Sequence, residues 1–172
     1  MSSTGAADTT KGEHGAVGVF PDGGRSVWLM GMLVTFKAIS AETGGTYSVY
    51  VATIPPHTGA PLHVHHQETE AFYILDGALD FVAGDRTIRA ASGDFLHVDK
   101  GMIHGYTNTG QAPARYLGIV TPGGLHEQLF AALGEEATSE MSPPLPAGPP
   151  DMARVIELAS RYHTEVLPPP AQ

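Results

Sequence analysis

The chain has 172 residues, 42% of them hydrophobic, which suits one domain able to bury a core of its own. Nine basic against 18 acidic residues give a formal charge of −9, which argues against a nucleic-acid-binding surface. There is no cysteine, so disulfides, thiolate metal sites and cysteine nucleophiles are excluded. The opening stretch is polar and lacks an apolar h-region, so no signal peptide is expected. No apolar run approaches the roughly 18 residues that span a bilayer, which makes the cytoplasm the default location.

Residues 1–15 are rich in Gly, Ser, Thr and Ala and read as a flexible N-terminal arm. From Ser26 to Lys37 the pattern alternates, with Trp28, Met30, Met32, Val34 and Phe36 on one face of a strand. A turn at Glu42–Gly45 leads to a returning strand, Tyr47 to Ile54, which Pro55-Pro56 ends because proline cannot donate to a sheet ladder. Short strands follow over 71–75, 79–83, 87–90, 95–98, 104–108 and 115–121. Turn signals such as Asp76-Gly77 and Gly84-Asp85 separate them. Many short antiparallel strands point to a sandwich, jelly roll or barrel.

Two helices complete the chain. One follows Pro122-Gly123-Gly124 and aligns Leu125, Leu129, Ala132 and Leu133. The other starts near Asp151, a good N-cap, with Val155, Leu158, Ala159 and Tyr162 on one stripe. The proline-rich run from Ser142 to Pro150 reads as an extended surface connector. The organisation expected is therefore an arm (1–15), a barrel with its capping helix (16–133), and a proline-rich segment with a C-terminal helix (134–172).

Nine histidines are present, and six of them fall between His57 and His104. Side chains two apart on a strand point the same way, so His63 and His65 project together. Glu70, Phe72 and Ile74 share a face of the next strand, and residues 66–69 form the bend between the two. Gly101 permits a tight turn before His104, which begins a strand and can supply a fourth ligand. Three imidazoles and a carboxylate suit nickel, iron, cobalt, manganese or zinc better than a thiophilic ion. Burying them unpaired would be costly, so one divalent transition metal is the expected cofactor. Glu68 misses this spacing and is expected to face solvent. His57 and His66 read as loop residues, and His14, His126 and His163 carry no site signal.

These residues resemble the two cupin motifs. His63, His65, Glu70 and Gly77 match the spacing of the first, while Gly93, Gly101, His104 and Asn108 match the second. Gly59 sits two residues closer to the histidines than is usual, and Asp99 stands where a proline is common, both in loops. The resemblance covers about residues 26–133 and is nearest to bacterial single-domain cupins similar to quercetin 2,3-dioxygenase. It implies an all-β jelly-roll barrel with two short C-terminal helices and a metal inside one end. It also implies a dioxygenase acting on a flavonol or related aromatic enol, with Glu70 as ligand or general base. The fold hosts many reactions. A polyketide cyclase, an isomerase, a lyase and a non-catalytic small-ligand binder are therefore the alternatives. Single-barrel cupins are often dimers, so a homodimer is an expectation too. The substrate pocket is assigned to Met32, Val34, Phe36, Tyr50, Phe72, Met102 and Ile119, with Phe130 at the mouth. His97 is added to it, although alternation leaves its face open between interior and solvent.

Overall fold

The computed structural model describes residues 9–11, 16–21, 23–137 and 151–167. Most of the strands form two antiparallel sheets. The larger runs β10 (Phe95–Val98), β7 (Thr69–Asp76), β12 (Ala114–Thr121), β5 (Ser48–Ile54), β4 (Met32–Ala38), β3 (Ser26–Leu29) and β13 (Glu135–Glu136). The smaller runs β14 (Thr164–Val166), β6 (Gly59–His65), β11 (His104–Thr107), β8 (Ala78–Ala83) and β9 (Arg86–Ala91). From β5 to β8, and again from β9 to β12, successive strands alternate between the sheets, as in a jelly roll. Inside the expected arm, β1 (Thr9–Lys11) pairs with β2 (Val17–Val19). The rest of that arm and the proline-rich connector at 142–150 lie outside the described residues.

The core is the inward-facing half of each strand. Val34, Phe36, Tyr50, Ala52, Ile54, Phe72, Ile74, Tyr116 and Val120 from the larger sheet meet Leu79, Phe81 and Tyr106 from the smaller. Burying each large apolar side chain contributes about 1.5–3 kcal/mol. The alternation across residues 26–37 is not one strand but a hairpin. Met30 and Gly31 both take positive φ (50° and 84°), the geometry of a two-residue turn. Trp28 therefore pairs with Leu33 on the outer face, while Val27 and Leu29 point inward.

Three short helices are present among the described residues. The four-residue α1 (Ser40–Thr43) occupies the loop read as a turn. The two expected near the C-terminus are α2 (Leu125–Leu133) and α3 (Met152–Arg161). Asp151 caps α3 by accepting the Arg154 N–H at 3.1 Å. After α3, β14 pairs with β6, setting Thr164 beside His65 and Val166 beside His63. Among the described residues no helix is long and apolar enough to cross a membrane.

One close approach shapes the interior. Gly118 on β12 lies between its cross-strand neighbours Tyr50 on β5 and Phe72 on β7. A Cβ there would stand 2.3 Å from Tyr50 Cζ. Because Gly118 has none, the Tyr50 ring lies across β12 and its hydroxyl reaches β7. Gly118→Ala is expected to cost about 1–3 kcal/mol through overpacking, read as a lower urea midpoint. An unchanged midpoint would show that the ring has room to shift.

Candidate metal centre

The structure brings His63, His65, Glu70 and His104 together, with one ligand atom from each within 4.8 Å of all the others. The imidazoles come from the smaller sheet and the carboxylate from the larger, so the cluster bridges the two at one end of the barrel. Strand alternation sets His63 and His65 on one face of β6. A register shift in the β6–β11 pairing sets His104 directly opposite His63. The turn before β11 needs Gly101, whose φ is 83°, and its N–H donates to the His65 carbonyl at 2.8 Å.

The hydrogen bonds around the cluster orient every ring. His63 Nδ1 faces the Pro61 carbonyl at 2.8 Å, and His104 Nδ1 faces the Met102 carbonyl at 3.0 Å. A carbonyl only accepts, so each Nδ1 carries the proton and each Nε2 presents a lone pair inward. His65 Nδ1 meets Thr164 Oγ1 at 2.9 Å. The three Nε2 atoms then converge: His63 and His65 stand 3.1 Å apart, and His104 lies 3.2 Å from Glu70 Oε2. His65 Nε2 is 3.5 Å from the same oxygen. Bare nitrogens and a carboxylate oxygen at these separations repel unless a cation lies among them. The donor set therefore fits a divalent transition metal, with ring orientation enforced from outside in the manner usual for metal-bound histidines.

The local electrostatics favour a neutral His63 and an ionised Glu70. Burial, reinforced by His104 and His65, lowers the His63 pKa to about 3, so its ring is neutral. Burial acts to raise Glu70, but His126, His104 and His65 outweigh it and hold the carboxyl well below the usual range. Burial acts to lower His104, yet the hydrogen bond and charge of Glu70 raise it. Burial and the Glu70 charge keep Tyr50 protonated, and its hydroxyl donates to Glu70 Oε1 at 2.5 Å.

Two residues read from sequence as irrelevant stand beside this cluster. Glu68 is 2% exposed, not solvent-facing, and accepts the backbone N–H of His126 at 3.0 Å. His126 is 4% exposed, with Nε2 3.4 Å from the Tyr50 hydroxyl and 3.6 Å from Glu70 Oε1. The inward stripe of α2 is His126, Leu129, Phe130 and Leu133, at helical spacing i, i+3, i+4, i+7. A stripe sought only among apolar residues starts one position early, at Leu125, and passes over the histidine.

Above the cluster lies an apolar-walled cavity of about 80 Å³. Of the assigned pocket residues, Met32, Tyr50 and Phe130 line it, with Leu129 from α2 and Val155 and Ala159 from α3. Val34, Phe36 and Phe72 are packed into the core instead and do not reach its wall. Ile119 is out of phase with the inward residues Tyr116, Gly118 and Val120, so it points outward. His97 shares the outer face of β10 with Phe95, and its half-exposed side chain stands 3.7 Å from Asp99. Met102 is 38% exposed in the turn before β11, which uses its carbonyl rather than its side chain. Asn108 is buried and braces two loops, donating to the carbonyls of Ile54 and Ala112 at 2.9 Å each.

Residues 50–120 match the family described as cupin domain. Over 106 residues the chain is 29% identical to quercetin 2,3-dioxygenase of Bacillus subtilis (strain 168), covering 62% of this chain and 31% of that protein. The chain spans between 31% and 55% of the length of the curated relatives it matches. Among solved structures it resembles the cupin domain of Schizosaccharomyces pombe Cnp3, with a TM-score of 0.54 at 16% identity, covering 70% of this chain and 84% of that one. It also resembles a protein of Thermotoga maritima described as a predicted oxalate decarboxylase, with a TM-score of 0.51 at 23% identity, covering 53% and 80%. Residues 50–120 thus resemble a cupin domain, and the fold is a jelly-roll barrel consistent with these cupin structures.

Burial of neutral histidines predicts acid sensitivity of the metal-free protein. His63 and His126 are both lowered from 6.5 to about 3, chiefly by burial. Between those values the unfolded chain binds protons that the folded one does not, so stability falls as pH drops from 6.5 toward 3. The urea midpoint, followed across that window, is expected to decline, and less steeply in His126→Phe. A flat profile would mean that these rings titrate normally.

Proposed function

We propose that this chain is a metal-dependent enzyme acting on a compact enol or enolisable carbonyl compound, with dioxygenation as its reaction. The observation that carries the reading is the convergence of three outward-anchored imidazoles and one carboxylate oxygen on the floor of an apolar cavity. The sequence similarity to a quercetin 2,3-dioxygenase supports oxygen chemistry in particular.

His63, His65, His104 and Glu70 would hold the metal. Bound there, the metal supplies Lewis acidity and, if redox-active, access to dioxygen. The protein does the rest. Leu29, Met32, Leu129, Phe130 and Val155 exclude water from the cavity, which strengthens electrostatic interactions inside it. Glu70 Oε2 is the oxygen left free to act as ligand, while Tyr50 keeps Oε1 occupied. The cluster and its partners are the polar features of the cavity, and among the described residues no lysine or arginine lines it. A substrate with an apolar body and one oxygen-bearing head suits these walls.

Size narrows the choice. About 80 Å³ is well below the roughly 300–1,000 Å³ of sites that enclose drug-sized ligands. A three-ring flavonol far exceeds that volume, and a short 1,3-dicarbonyl is the better match to it. The test is oxygen uptake by iron-, nickel- or cobalt-loaded protein given acetylacetone or quercetin. Uptake is expected with the diketone, and Phe130→Ala is expected to favour the flavonol. Absence of uptake with either substrate and every metal would remove the dioxygenase reading. Equal turnover under strict anaerobiosis would assign a lyase or isomerase instead.

A further inference from the structure

Glu68 and His126 are buried, charged or polar, and absent from the ligand set, yet both are built into the wall of the site. Glu68 stands in the bend between β6 and β7, and its carboxylate takes the backbone N–H groups of Leu125 and His126. Helix α2 begins after Gly124, which has no side chain to cap it, so Glu68 does that work from another part of the chain. The contact pins the first turn of α2 to the bend that separates His65 from Glu70.

Pinning α2 there sets the His126 ring parallel to Tyr50, with centroids 5.5 Å apart and planes 18° apart. Phe130 packs behind it at 4.2 Å. The hydrogen-bond directions then follow from counting protons. Tyr50 has one hydroxyl proton, and it goes to Glu70 Oε1. The Tyr50 oxygen therefore offers His126 only lone pairs, so His126 Nε2 must carry the ring proton. His126 Nδ1 is buried without a hydrogen-bond partner and lies 4.0 Å from Glu68 Oε2. His65, Glu68 and His126 also cluster closely enough to suggest a second ion. His65 Nδ1, however, is already engaged with Thr164.

We propose that Glu68 and His126 are positioning residues which, through Tyr50, hold Glu70 as a one-oxygen metal ligand. Oε1 is gripped by Tyr50 and approached by the His126 N–H, and this leaves Oε2 alone to face His65 and His104. Metal affinity and coordination geometry then depend on a chain of contacts that begins at the end of α2. The inference rests on the metal-binding reading of the four ligands.

The experiment uses cobalt(II) as probe, with affinity from competition against a chelator and coordination from the visible absorption bands. His126→Phe keeps a flat ring but loses the N–H, and is expected to weaken cobalt by about 10–100-fold and to shift the bands. Tyr50→Phe is expected to act in the same direction. His126→Gln, whose amide can donate from a similar position, is expected to recover most of the affinity. A merely space-filling role would predict the reverse order, with Phe better than Gln. The urea midpoint of each metal-free variant checks that it folds. Wild-type affinity and bands in His126→Phe would overturn the proposal. A wild-type protein that takes up no cobalt, while His63→Ala behaves identically, would instead bring down the metal reading beneath it.

Discussion

Three imidazole lone pairs and a carboxylate oxygen directed at one point are the constraint to which the rest of this structure answers. Left to themselves these groups would turn away from each other or take up protons and water. The fold prevents the first by engaging the far nitrogen of each ring. His63 and His104 use the same local device, a bond to the carbonyl two residues earlier, at Pro61 and Met102. His65 uses a hydroxyl from a different strand, Thr164 on β14. Rings anchored in this way have little freedom to escape the repulsion, and a cation relieves it. Preorganisation of this kind is what separates a metal centre from a group of buried histidines.

The two sheets divide the work. The smaller contributes the imidazoles, and the larger contributes the carboxylate together with the hydroxyl that steadies it. The bend at residues 66–68 carries the chain from one sheet to the other, so the first and second halves of the ligand set face each other across the barrel. Gly118 lets Tyr50 pass over an intervening strand, and Gly101 lets the turn before His104 tuck against His65. Helices α2 and α3 then close the same end. They make the cavity apolar and small, and α2 brings His126 to the carboxylate oxygen that His65 and His104 do not face.

The parts of the site that were legible in advance are those whose geometry is local. A period of two in a strand places His63 with His65 and Glu70 with Phe72, whatever else the chain does. Glycine before a strand marks the turn that His104 follows. The misplaced residues failed for an equally physical reason. His97 and Ile119 lie on regular strands, but a strand has two faces, and pairing decides which one is covered. Met102 sits in a turn whose backbone is functional while its side chain is not.

By itself, the sequence determined the class of fold, the four residues that converge at the candidate centre and its oxygen- and nitrogen-rich chemistry. Each of these depends on spacing within a few residues and on the donor atoms that side chains carry. Tertiary structure alone decided that Thr164 would orient His65, that Glu68 would cap a helix more than fifty residues away, and that His126 would stand beside Glu70. It also set the small volume of the cavity. Those outcomes follow from how strands pair and helices dock, through contacts between segments whose separation along the chain leaves no periodic trace.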